Sequence, residues 1–299
     1  MGWAAASLDL TSADLERLSA VVGERSGLAF PESRWPFLRN RGREVMVRSG
    51  FTSTRRWMEE LEASAGKRGA LYCQLEEALQ VHETSFFRYE EHQRILRERI
   101  LPELIRTGGL KVRIASVGCS TGEEPYSIAM TLRESVRCPF PCSVEVVAVD
   151  LSRQVLGQAV NGTYSESRVT AVPPAYVAKY FVKAPAGFTV APALRQMVRF
   201  RHHDIRRGFY IGKFDVVFCC NVLHYFTPAM KRETMARLAE SLVEGGYLFL
   251  GHAEEITPPA GLFEPRDLPA GFVYQRVSGS PAGSALDGAA RSGGALRRG

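Results

Sequence analysis

The sequence predicts an α/β fold: an open, mostly parallel sheet wound by helices, preceded by an all-helical domain and interrupted by a small β-rich insertion. Three observations lead there. From Lys111 onward, apolar runs and helical segments alternate, the pattern of parallel βαβ units. Residues 10–80 instead repeat apolar positions at helical spacing and show no strand alternation. The first apolar run also enters a helix through the small-residue loop Gly118-Cys119-Ser120-Thr121-Gly122, which ends on Glu123 and Glu124.

Taken in order, Thr11-Ser12 gives a helix start signal before Leu15, Leu18, Val21 and Val22. Gly27 and Pro31 separate this helix from a second, Arg34 to Arg48. Ser53 then opens a stretch around Trp57-Met58-Glu59-Glu60-Leu61, and an amphipathic segment covers about Ala70 to Val81. Together they define a helical domain over 1–82, followed by a linker segment and helix over 83–110. In the sheet domain, 111–277, Val112 to Val117 reads as a buried strand, Tyr126 to Val136 as a helix and Val144 to Asp150 as the next strand. A helix from Arg153 to Val160, a strand from Phe214 to Cys219, a helix from Pro228 to Val243 and a strand from Tyr247 to Leu250 continue the alternation. Phe272-Val273-Tyr274 is placed to close the sheet. The stretch from Gly162 to Arg201 breaks the pattern with a short helix, Ala175 to Phe181, and β-like runs at Phe188 to Val190 and Met197 to Phe200. An inserted β-subdomain at about 162–200 accounts for this. Beyond Val277 the Gly/Ala/Ser-rich chain has too little apolar surface to offset ordering entropy, and disorder is expected over 278–299.

A chain of 299 residues, 45% hydrophobic and 23% charged, has the composition of a soluble globular protein. No apolar run approaches the roughly 20 residues that span a bilayer, and the N-terminus lacks a signal-peptide pattern. A cytoplasmic protein without direct membrane insertion is expected. Cys73, Cys119, Cys138, Cys142, Cys219 and Cys220 show neither paired CxxC spacing nor clustered histidines, so reduced thiols and no metal are expected. The formal charge of +6 points to an acidic partner, although arginines in the C-terminal tail supply part of it.

Dinucleotide-binding loops leave the helix N-terminus free for pyrophosphate. Here Glu123 and Glu124 stand at that end; they would repel phosphate but suit a cofactor that carries positive charge and no phosphate. S-adenosylmethionine, with its sulfonium and ammonium groups, fits. Helix capping is the alternative reading of both glutamates. Asp150 ends the second strand, where a carboxylate accepts ribose hydroxyl protons; NAD-binding folds use the same device, and capping again is an alternative. Asp204, in His203-Asp204-Ile205, is placed to meet an adenine amino group or to serve as a turn aspartate. The segment Cys219-Cys220-Asn221-Val222-Leu223-His224-Tyr225-Phe226 leaves a strand at the reactive end of such a site. An enzyme methylating nucleic-acid amino groups would place prolines after Asn221 to shape a base pocket, whereas Val222 and Leu223 stand there. No nucleic-acid partner is expected.

With these residues assembled, the chain resembles the CheR family of chemotaxis receptor methyltransferases, which are S-adenosylmethionine-dependent protein-glutamate O-methyltransferases. The resemblance covers about residues 10–277. It rests on Glu83-Thr84-Ser85-Phe86-Phe87-Arg88, Ser120-Thr121-Gly122-Glu123-Glu124-Pro125-Tyr126-Ser127, Asn221-Val222-Leu223-His224-Tyr225-Phe226 and Gly245-Gly246-Tyr247-Leu248-Phe249-Leu250-Gly251-His252. It implies a Rossmann-like class I S-adenosylmethionine-dependent methyltransferase sheet and methyl transfer to glutamates of methyl-accepting chemotaxis receptors.

Carried over by motif, the resemblance assigns His82, Thr84, Arg88, Glu124, Asp150, Asp204, Ile205, Cys220 and Asn221 to the cofactor, with Glu124 at its methionine part. Glu123 keeps a capping role. Arg88 and Tyr225 would lie closest to the transferred methyl; a domain-bridging salt bridge and a core tyrosine are the alternative readings. His82 stands where many relatives have asparagine, and Cys220 where arginine is common. A glutamate with an ordinary pKa of roughly 4.3 is already ionised at neutral pH, so the transfer needs no general base. Arg88 suits the guide for the incoming carboxylate, because its planar fork orients one bidentately.

Arg34, Arg39, Arg41, Arg43, Arg48, Arg55 and Arg56 share a window with the single acid Glu44. A solvated face or a polyanion site is possible, but the resemblance favours Arg39, Arg41 and Arg43 meeting glutamate-rich receptor helices. The short connection Val182-Lys183-Ala184-Pro185-Ala186 suggests methylation without docking on a receptor's C-terminal peptide, and a monomer is expected. Two other readings stay open: a non-catalytic S-adenosylmethionine-binding regulator, and a methyltransferase for another acidic protein or a small molecule.

Overall fold

The computed structural model describes residues 8–63, 69–107, 111–135, 143–209, 211–252, 254, 258–259, 261–268 and 271–277. The tail expected to be disordered lies outside them. The chain divides into two compact units, Met1–His82 with Tyr225–Lys231, and Glu83–His224 with Arg232–Gly299.

Among the described residues, four helices build Met1–His82 of the first unit. Helix α1 (Ser12–Ser26) starts on a capping box, in which the Asp14 amide donates to the Thr11 hydroxyl at 3.2 Å and the Thr11 amide donates to the Asp14 carboxylate at 3.0 Å. It ends at Gly27, whose φ of 68° is the left-handed cap that glycine adopts without strain. A 3-10 turn, Glu32–Arg34, leads into α2 (Trp35–Arg48), and α3 (Thr54–Ala63) and α4 (Ala70–Ala78) follow. Their apolar stripes meet in one core, where Leu15, Leu18, Leu38, Met46, Trp57, Leu61 and Tyr72 are buried. The segment Tyr225–Lys231 is tied to the end of α1: the Ala29 amide donates to the Tyr225 carbonyl at 2.8 Å and the Thr227 amide to the Gly27 carbonyl at 2.7 Å.

The second unit opens with α5 (Glu90–Ile95), which continues through a π-helical turn, Leu96–Ile100, into α6 (Leu101–Arg106). Then come β1 (Lys111–Val117), α7 (Glu123–Ser135), β2 (Ser143–Asp150) and α8 (Arg153–Asn161). Three short strands, β3 (Thr163–Tyr164), β4 (Phe181–Ala184) and β5 (Gly187–Val190), form a separate small sheet in the order β3-β5-β4. Helices α9 (Glu166–Val169) and α10 (Pro174–Tyr180) lie between β3 and β4 in the chain, and α11 (Pro192–Arg195) follows β5. The main sheet resumes with β6 (Val198–His202), β7 (Phe214–Cys219), α12 (Pro228–Ser241), β8 (Leu242–Leu250), β9 (Phe263–Leu268) and β10 (Gly271–Arg276).

Seven strands stand in the order β6-β2-β1-β7-β8-β10-β9. All neighbours are parallel except β10, which runs antiparallel between β8 and β9. This strand order and direction agree with the Rossmann-like sheet that the resemblance implies. The chain reverses direction of travel across the sheet between β1 and β7, so the loops leaving these two strands diverge and open a crevice at their carboxyl ends. The central strands are near-continuous apolar runs because helices cover both faces; Ile114, Val146, Val216 and Phe249 are all buried.

Two elements differ from expectation. Val198–His202, read with the insertion, belongs to the main sheet: Val146 stands opposite Val198 and Asp150 opposite His202. Its alternating charged side chains are those of an exposed edge. The β9 strand went unread because Phe263-Glu264-Pro265-Arg266-Asp267-Leu268 carries charges and a proline, which an edge strand tolerates. Among the described residues, no helix is long and apolar enough to cross a membrane.

Candidate active site

The loop after β1 turns on itself. Its amides at Gly118 and Cys119 both donate to the Val149 carbonyl, at 2.9 and 3.0 Å, so it leans over the end of β2. Gly118 has a φ of 71°, and a Cβ there would come within 2.5 Å of Val222 on the loop after β7. Glycine is what allows the two loops to approach at the sheet's reversal point. Helix α7 starts at Glu123, earlier than the apolar pattern alone indicates, because the two glutamates form its first turn.

Those glutamates have different surroundings. Glu123 is fully buried, accepts from the Thr121 hydroxyl at 2.7 Å and is paired with the Arg168 guanidinium from α9. It is therefore more than a cap: it locks the loop to the segment after β3. Glu124 is half-buried and accepts from the Ser116 hydroxyl at 2.7 Å. Burial pushes its pKa up to about 7; hydrogen bonds from Ser116 and Cys220 pull the other way, the Glu254 charge raises it further and the Arg88 charge lowers it. Glu124 is thus the group at the helix start whose ionisation the site leaves in suspense.

Asp150 holds the loop from the other side. Its Oδ2 accepts from the Ser120 amide at 2.8 Å and its Oδ1 from the Ser152 amide at 2.9 Å. Ser120 sits at a φ of 49°, a left-handed turn that this bond stabilises. Each carboxylate oxygen retains a further acceptor position. Asp204 is bound to the Arg206 side chain by both oxygens, at 2.8 and 2.9 Å, and accepts from the Arg206 amide at 3.1 Å. The turn reading is therefore realised at Asp204, with Ile205 buried beside it.

The loop after β7 is built around Asn221, which adopts a φ of 62°. Its Oδ1 accepts from the Tyr89 hydroxyl at 2.8 Å. Beneath it lies Glu254, a buried carboxylate. Oε2 accepts from the amides of Asn221 at 3.0 Å and Gly251 at 2.7 Å, while Oε1 accepts from the amides of Leu223 at 2.6 Å and His224 at 3.4 Å. Burial pushes the Cys220 thiol well up, with Glu124 and Glu254 adding to the effect, so Cys220 is a neutral lining group. Tyr89 and Glu254 were missed in the sequence. Tyr89 directly follows the Arg88 motif, and Glu254 follows the Gly251-His252 pair, which is the proximity that points to them.

The segment from Glu83 to Arg88 is anchored by Phe86, whose ring lies edge-on to Tyr164 at 4.9 Å and Phe181 at 5.5 Å. The Phe87 amide donates to the Ser127 hydroxyl of α7 at 3.0 Å. Thr84 is half-buried and Arg88 exposed; one Arg88 nitrogen donates to the Glu83 carbonyl at 2.9 Å. The structure thus gathers Arg88, Glu124, Asp150, Cys220 and Asn221 within the second unit. His82 ends the first unit, and Tyr225 belongs to it as well. Tyr225 is half-buried rather than a core residue, and the Arg34 guanidinium covers its ring at 4.7 Å. Arg34 also stacks on Phe30 and is thereby withdrawn from the basic face. On α2, Arg41 pairs with Glu44 at 3.0 Å, Arg39 is half-buried and Arg43 is exposed.

The donor chemistry suits S-adenosylmethionine. A half-enclosed carboxylate whose charge is disfavoured by burial gains from a cationic ligand, and the acidic helix start turns phosphate away.

Residues 82–272 match the family model described as CheR methyltransferase, SAM binding domain. Chemotaxis protein methyltransferase 1 of Pseudomonas aeruginosa is 31% identical over 275 residues, covering 90% of this chain and 99% of that protein. Chemotaxis protein methyltransferase Cher2 of Pseudomonas putida is 30% identical over 269 residues, covering 88% and 97%. The chemotaxis protein methyltransferase of Borreliella burgdorferi is 30% identical over 260 residues, covering 84% and 90%.

Proposed function

The chain belongs to the CheR methyltransferase family, and from that premise we propose that it methylates glutamate side chains of methyl-accepting chemotaxis receptors, using S-adenosylmethionine and leaving glutamate methyl esters. The observation that carries this reading is the match of residues 82–272 to the CheR methyltransferase, SAM binding domain, with the half-buried Glu124, held by Ser116 at the start of α7, as the acceptor for a cationic cofactor.

When bound, the cofactor supplies a methyl group activated by its sulfonium charge. The chain's own residues position the reactants and exclude water. Glu124 receives the ammonium group, and Asp150 offers its free acceptor positions to the ribose hydroxyls. Asp204 and Ile205 border the adenine, with Asp204 acting as a wall held in place by Arg206. Cys220 and Asn221 form the floor, and Thr84 closes the side. Arg88 orients the incoming carboxylate, which arrives ionised and therefore needs no base. Bringing two oppositely charged reactants together in a desolvated space is the main catalytic contribution.

On α2, Arg43 with Arg39 and Arg41 meets the acidic face of the receptor's helices. The tight connection between β4 and β5 fits methylation without a receptor-tail tether. Incubation with labelled cofactor and membranes carrying candidate receptors tests the proposal. Label released by mild base is expected, because carboxyl methyl esters hydrolyse there; label that resists base would indicate methylated amines and reject the reading.

A further inference from the structure

Glu91 and His92 occupy the first turn of α5, and His252 follows Gly251 at the exit of β8. Far apart in sequence, they present one ligand atom each within 4.8 Å of one another. We propose that these three side chains form a site for a divalent transition-metal ion, of which Zn²⁺ is the representative.

The chemistry of the donors supports this. Two imidazoles and a carboxylate are the borderline nitrogen and oxygen ligands that Zn²⁺ takes, with a fourth position left for water. Glu91 Oε1 is a buried oxygen with no hydrogen-bond partner, yet it lies 2.6 Å from Nε2 of His252. The two atoms stand at ion-pair distance, and with no hydrogen bond holding the oxygen elsewhere, both can turn onto a metal ion. His92 is buried, and its ring is fixed between Tyr89 at 4.8 Å and Phe249 at 5.0 Å. The His252 ring stands edge-on to Tyr89 at 4.7 Å and to His92 at 5.7 Å, so the aromatic packing already orients both imidazoles. Ligand atoms at Zn²⁺ distances of about 2.0–2.2 Å lie roughly 3.0–3.5 Å apart, within small side-chain rotations of this arrangement. His252 is exposed and leaves an entry path.

The position gives the ion a consequence. It would join the start of α5, directly after Tyr89, to the loop that carries Glu254. Both residues support Asn221.

The test uses the full chain without an affinity tag, stripped by chelator, with the exposed Cys73 replaced by Ser to remove a competing thiol. Calorimetric titration with Zn²⁺ at neutral pH is expected to give one equivalent bound and a rise in Tm. His252→Ala should lower the affinity by ~100-fold or more and abolish the Tm rise, and Glu91→Gln should weaken binding by at least ~10-fold. Circular dichroism confirms that each variant is folded; His92 is left intact because it is buried. The proposal is overturned if the parent protein binds no equivalent of Zn²⁺, which would make Glu91 and His252 an ion pair only, or if His252→Ala binds as tightly as the parent.

Discussion

The Tyr89 hydroxyl donates to Asn221 Oδ1 at 2.8 Å, although 132 residues separate the two. Asn221 holds a left-handed backbone conformation at the mouth of the crevice, and this bond fixes its side-chain orientation. Tyr89→Phe should preserve the fold, with a loss of about 1 kcal/mol. The freed Asn221 side chain should weaken cofactor binding several-fold. Calorimetry with S-adenosylmethionine, alongside a thermal melt, measures both effects.

Glu254 sets the backbone of the same turn. Gln at this position has the right shape, but its amide nitrogen would face backbone N–H groups where an acceptor is required. Glu254→Gln is therefore expected to cost about 2–4 kcal/mol and to weaken cofactor binding at least ~10-fold. Because the Glu254 charge helps to raise Glu124, the variant should also move the pH midpoint of cofactor binding downward. Titrations across pH detect this shift, which a purely structural defect would leave in place.

Glu124 governs the pH response. Its folded pKa of about 7 lies above the ordinary 4.5, so between these values the folded chain retains a proton that the unfolded chain releases. Stability from this group therefore falls as pH rises from about 4.5 to 7, by up to about 3 kcal/mol. Glu124→Gln should raise Tm at pH 8 and leave it unchanged at pH 4. Cofactor binding has the opposite sign, since the ammonium requires the ionised form. Its affinity should fall about fivefold between pH 7 and pH 6 in the parent, and be weak and nearly flat in Glu124→Gln.

Arg168 keeps Glu123 neutralised in the core. Arg168→Met leaves a fully buried carboxylate without its ion-pair partner, and about 2–4 kcal/mol of stability should be lost. Adding Glu123→Gln should restore part of it, because the uncompensated charge is removed. Denaturant unfolding of the single and double variants measures the coupling.

The contrast between these residues explains what the sequence could convey. Strands such as Val112 to Val117 and the loop from Gly118 to Glu124 are local patterns, so periodicity and composition reveal them. Asp150 was legible as the carboxylate that ends a strand, and the structure engages it with the amides of Ser120 and Ser152. Tyr89, Glu254 and Arg168 act across long separations and carry no local signature; each could equally have been a surface residue. Val198–His202 was placed in the insertion because it follows β5 closely in the chain, while its true neighbour, β2, lies on the other side of four helices, α8 to α11, and a small sheet in sequence. Asp204 shows the limit from the opposite direction: a residue type suited to a ligand is engaged by its neighbour Arg206.

The central claim is that a glutamate carboxylate, guided by Arg88, receives the methyl group. Tandem mass spectrometry of a receptor's cytoplasmic fragment, after incubation with the protein and a cofactor bearing a deuterated methyl, locates that group. The account predicts label on glutamate side chains with the parent protein, and none with Arg88→Ala even though that variant still binds cofactor. Label on lysine or arginine, or glutamate labelled at the normal rate by Arg88→Ala, would contradict it.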